Sequence, residues 1–117
     1  MFESETLSGG KNVKPSEEAV NEAVRIIVDT VHPLKVILFG SAARDDMGEN
    51  SDLDFLIVMP DGTHRRKAAQ AIYRRIIGIS LPVDIVVATQ EDLAEYGDSP
   101  GLVFRQAIHE GRTVYAA

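Results

Sequence analysis

The sequence predicts a mixed α and β fold (α+β), a small mixed β-sheet covered by helices on one face. Two observations predict it. Three short apolar runs, at 34–39, 53–59 and 82–88, are rich in β-branched residues and bounded by turn or capping residues. That is the pattern of buried strands. Segments between and around them carry apolar residues every three or four positions, the period of an amphipathic helix.

Residues 1–14 are polar, contain Gly9-Gly10 and have no apolar period. They read as a flexible N-terminal arm, with 15–117 as one domain. Ser16 can cap the first helix, with Glu17 and Glu18 favourably placed at its positive end. Val20, Val24, Ile27 and Val31 line one face of that helix, and Pro33 ends it. Leu34 to Phe39 is a strand closed by Gly40, and 41–51 is a small, polar loop. Leu53 to Met59 is a second strand, stopped by Pro60, Asp61 and Gly62. Thr63 to Ile79 reads as a helix with Ala69, Ile72, Tyr73 and Ile76 on its core face. Pro82 to Ala88 is a third strand. Thr89 to Asp92 is a capping-box variant that opens a short helix. Ser99 and Pro100 fit the cap and first position of a last helix, which stops at Gly111 as a left-handed cap. Thr113 to Tyr115 adds a short edge strand.

The chain has 117 residues, 44% apolar and 26% charged, with a net charge of −6. The size fits one domain with a small core, which leaves room for a homodimer or a heterocomplex. The absence of cysteine excludes disulfides and thiolate metal sites. No apolar run approaches the roughly 20 residues of a membrane span, and Met1 to Lys14 lacks a signal-peptide pattern. A cytoplasmic protein with no membrane partner is expected. The acidic balance argues against binding nucleic acid through the whole surface.

Asp52 and Asp54 stand two residues apart at the start of a strand, so they share one face of it. Asp84 lies between Val83 and Ile85 in the next strand. An unpaired carboxylate in an apolar run is costly, so a compensating cation is expected. Three aspartates on adjacent strands suit two magnesium ions about 3.5–4 Å apart. Such a pair neutralises a triphosphate and holds the attacking and leaving oxygens in line. Gly40 and Ser41 end the first strand with backbone N–H groups available to a phosphate. Arg44 is within reach of the same phosphate. His32, His64 and His109 have no metal-ligand spacing and read as structural or surface residues. Arg65, Arg66, Lys67, Arg74 and Arg75 make the second helix basic in an acidic chain. Cations in a first turn oppose the helix dipole, so this face is expected to meet an acidic partner or the nucleotide tail.

Gly40-Ser41-Ala42-Ala43-Arg44, then Ser51-Asp52-Leu53-Asp54 in an apolar strand, resembles the minimal nucleotidyltransferases of the DNA polymerase β superfamily. Pro82 to Val87 resembles the third-carboxylate strand of that family. The resemblance spans roughly residues 16–115 and implies a polymerase-β-like nucleotidyltransferase fold. It implies that Gly40 and Ser41 hold ATP, that Asp52 and Asp54 bind both metals, and that Asp84 completes the catalytic metal site near the acceptor hydroxyl. Family members often pair with a helical HEPN-domain protein, as antitoxins that transfer AMP to a tyrosine of the HEPN toxin. The resemblance makes that the leading role. The alternatives are a non-catalytic toxin-binding module and transfer to a small molecule such as an aminoglycoside. One departure stands out. Asp45 occupies the position after the arginine where the family usually has glycine, and Asp46 follows it. Both add negative charge beside a polyphosphate site.

Overall fold

The computed structural model describes residues 15–40, 53–79, 82–96 and 103–117. The expected arm at 1–14, and the cap formed by Ser99 and Pro100, lie outside the described residues. In chain order the elements are α1 (Pro15–Val31), β1 (Lys35–Phe39), β2 (Leu53–Met59), α2 (Arg65–Arg75), β3 (Val83–Thr89), α3 (Gln90–Tyr96), α4 (Val103–Glu110) and β4 (Arg112–Ala116).

The four strands form one sheet in the order β3-β2-β1-β4. β1 runs antiparallel to both β2 and β4, while β2 and β3 are parallel. A parallel pair needs a crossover, and α2 provides it. Leu53, Phe55 and Ile57 are fully buried on one face, against Ala23 and Ile27 of α1 and Ile72 of α2. Each side chain of that size contributes about 2 kcal/mol on burial. Leu56, Val58 and Ala88 point to the other face, where Ala107 of α4 and Leu93 of α3 pack on them. Helices therefore lie on both faces, not on one as the sequence suggested. Among the described side chains of α4, Ala107 is the one fully covered, and a single small residue made this second layer hard to read from apolar period alone.

Local chemistry explains the element ends. His32 turns α1 off with φ of 50° and donates its N–H to the Val28 carbonyl at 3.0 Å, just before the buried Pro33. At the start of α2, His64 Nδ1 accepts from the Lys67 N–H at 3.3 Å. α2 stops at Arg75, short of the expected Ile79. Ile76 caps it through its N–H to Ile72 at 3.0 Å, and Ile77 and Gly78 form a turn. Glycine is the costliest non-proline residue in a helix interior, which accounts for the early stop. The expected capping box is present at α3: Thr89 N–H donates to Asp92 Oδ2 at 3.0 Å, and Asp92 N–H to Thr89 Oγ1 at 3.2 Å.

Gly111 is not the left-handed cap the sequence suggested, because its φ is not positive. Its constraint is space. A Cβ there would meet the Ala107 carbonyl, would lie 2.6 Å from Ile37 Cγ2 and 3.0 Å from the Leu38 carbonyl. A bare backbone is what lets the chain pass from α4 into β4 against the sheet.

Candidate active site

The register brings three of the expected residues to one end of the sheet. Asp54 at the start of β2 is the Cα partner of Asp84 at the start of β3. On its other side Asp54 is the partner of Phe39, the last residue of β1, and Gly40 follows. Neighbouring strands run about 4.8 Å apart, so the two aspartates are adjacent. Alternation places both on the face that carries Leu56 and Val86, the α3 and α4 side. Asp54 is half-buried and Asp84 is exposed.

Gly40 has φ of +78°, and a Cβ on it would lie 2.5 Å from Asp54 Oδ2. Both facts demand glycine. The left-handed conformation is costly for any residue with a Cβ, and the carboxylate occupies the space a side chain would need. The strand-ending glycine and the strand-starting aspartate are thus one steric unit. Ser41, Arg44, Asp45, Asp46 and Asp52 lie outside the described residues.

The donor set at this end of the sheet is carboxylate oxygen, which suits a hard divalent cation such as magnesium. Among the described residues no group of three or more His, Cys, Asp or Glu could hold a metal. The third expected ligand, Asp52, is the one that falls outside them.

The basic start of α2 sits at the opposite end. Arg65 Nη1 donates to Asp92 Oδ2 at 2.9 Å, and Asp92 is tied to Thr89, which pairs with Met59 at the far end of the ladder. Asp84 and Thr89 are five residues apart along β3, about 16 Å of extended strand. The expected contact between Arg65 to Lys67 and a nucleotide tail is therefore not supported by the geometry. At that far end the Thr89 N–H holds the Asp92 carboxyl below the usual carboxylate range, with burial opposing and the Thr89 hydroxyl and Arg65 assisting.

Tyr73 also departs from expectation. It is 41% exposed, and its hydroxyl accepts the N–H of Ile85 at 2.9 Å. Helical spacing assigned it to the core, and nothing in the sequence marks a hydroxyl that reaches a strand edge.

A family model for the nucleotidyltransferase domain matches residues 19–112. The chain belongs to this family. Among solved structures, a nucleotidyltransferase-like protein from Sulfolobus solfataricus is 22% identical with a TM-score of 0.56, over 85% of this chain and 78% of that one. A toxin-antitoxin crystallised with AMP-PNP is 20% identical with a TM-score of 0.51, over 83% of this chain and 73% of that one. Spectinomycin adenyltransferase AAD(9) from Enterococcus faecialis, solved with ATP and spectinomycin, is 16% identical with a TM-score of 0.58, over 85% of this chain and 54% of that one. These likenesses establish a shared fold. No functionally curated protein matches the chain. Among the described residues, no helix is long and apolar enough to cross a membrane.

Proposed function

We propose that the chain transfers AMP from ATP to a protein hydroxyl, a tyrosine of a HEPN-domain toxin, and so acts as an antitoxin. The observation that carries the catalytic half is the pairing of Asp54 with Asp84 on one sheet face, with the Gly40 backbone against the Asp54 carboxylate. A fold built only to bind a partner has no need of two adjacent carboxylates there. The biological half is supported by the likeness to a toxin-antitoxin with a bound ATP analogue.

In this reading Asp52, Asp54 and Asp84 hold two magnesium ions. Bound there, magnesium offsets the triphosphate charge and favours pyrophosphate as the leaving group. The N–H groups at Gly40 and Ser41 receive the phosphates, and Arg44 pairs with one of them. The acceptor oxygen attacks the α-phosphorus and the bond to pyrophosphate breaks. Asp84, exposed at the edge of the site, takes the acceptor proton. Arg66 and Lys67, exposed at the other end of the sheet, are free to face an acidic partner surface.

Calorimetric titration of ATP with and without magnesium tests the site. Magnesium-dependent binding is expected for the parent and its loss for Asp54→Asn, with both proteins folded by circular dichroism. Equal binding in the two would refute the metal assignment. Transfer to a small molecule is a second reading, favoured by the likeness to the spectinomycin enzyme, of which this chain spans about half. Labelling of spectinomycin, rather than of a co-expressed HEPN protein, from radioactive ATP would establish it.

A further inference from the structure

The two carboxylates are held very differently. Asp54 lies on a central strand, paired on both sides, with the Gly40 backbone packed on its carboxylate. Asp84 lies on β3, an edge strand whose ladder, among the described residues, runs to β2 alone. The Leu53 N–H donates to the Pro82 carbonyl at 2.9 Å. The alternation of a parallel ladder then turns the Asp84 N–H inward and the Ile85 N–H outward, away from β2. An outward N–H on an edge strand has no sheet partner. Tyr73 of α2 supplies one at 2.9 Å, a single residue beyond Asp84. A second tie on that outer edge lies at the opposite end of β3, from the Thr89 N–H to Asp92.

We infer that Tyr73 is a positioning residue for Asp84: its hydroxyl pins the outer edge of β3 beside the carboxylate, as β1 and Gly40 pin Asp54. The half-exposed ring is then explained. It spans from the helix to the strand edge instead of filling the core, and only the hydroxyl makes the span worthwhile. The inference rests on the proposed metal site, but concerns a contact that no part of that reading requires. Tyr73 acts through the backbone and touches no reacting atom.

The test uses the whole chain, with manganese chloride as the probe, because the paramagnetic ion broadens amide signals near its site. In Tyr73→Phe the Ile85 amide exchanges with solvent about tenfold faster, since it loses the acceptor. The manganese concentration that half-broadens the Asp84 amide rises about fivefold, the scale of one net hydrogen bond. Asp92→Asn loosens the same edge about 16 Å away. It speeds exchange at Thr89 and leaves the manganese midpoint within about twofold of the parent. A purely structural tie would leave the midpoint alone in Tyr73→Phe as well, and that result overturns the inference. Equal shifts in Tyr73→Phe and Asp92→Asn overturn it too. Parent broadening that is absent, or unchanged by Asp54→Asn, defeats the metal site itself and the inference with it. Broadening that depends on Asp54 but ignores Tyr73 defeats the inference alone.

Discussion

Gly40 shows how one residue can be set by two independent demands. Its φ of +78° excludes most side chains, and the Asp54 carboxylate fills the space a Cβ would take. Gly40→Ala adds about 1–2 kcal/mol of backbone strain and displaces the carboxylate. The expected outcome is a melting temperature lower by several degrees together with loss of magnesium-dependent ATP binding. Unchanged calorimetry in a folded Gly40→Ala protein would separate the glycine from the site. The Gly-Ser and Asp-x-Asp spacing made Gly40 and Asp54 legible, because a tight strand exit and an apolar-run carboxylate are both local patterns. Tyr73 was not legible. Its partner is the backbone N–H of Ile85, and a backbone donor leaves no trace in residue identity.

At the scale of elements, β2 begins and ends where turn residues placed it, at Leu53–Met59, and α3 opens at Gln90 behind the Thr89 capping box. α2 ended early because a helical apolar period ran on past Ile76 while Gly78 broke it. Gly111 was misread because a glycine after a helix fits a cap and a tight crossing equally well. The α3 cap carries a pH prediction. Asp92 is more acidic when folded, chiefly through the Thr89 N–H. Its stabilisation is therefore complete above about pH 4, the range where an unfolded aspartate ionises, and fades as pH falls through the lowered folded value. Asp92→Asn keeps a neutral acceptor and removes the charge, so it should cost about 1 kcal/mol at pH 7 and less at pH 2, as the carboxyl moves toward protonation. Urea melts at the two pH values measure this, and an equal loss at both would show that packing, not charge, is what Asp92 supplies.

For the whole molecule, the sheet has two chemically distinct ends. Aspartates meet Gly40 at one, and the cationic start of α2 meets Asp92 at the other. About 16 Å of strand and a Debye length near 8 Å in physiological salt make the ends electrostatically independent. Reversing Arg66 and Lys67 to glutamate should leave ATP affinity within about twofold while weakening association with an acidic partner. A larger loss of ATP affinity, read by the same calorimetry, would place these cations near the nucleotide after all.

The parallel pairing of β2 with β3 has a consequence for how the protein comes into being. Consecutive antiparallel strands such as β1 and β2 can meet early, but Asp84 reaches Asp54 only after α2 has carried the chain across the sheet. Such distant contacts form slowly because a loop must close before they stabilise anything. A chain still emerging from the ribosome holds Gly40 and Asp54 with no Asp84 beside them. On the proposed function, competence to handle nucleotide arrives late in synthesis, after the strand that carries Asp84 has docked beside Asp54.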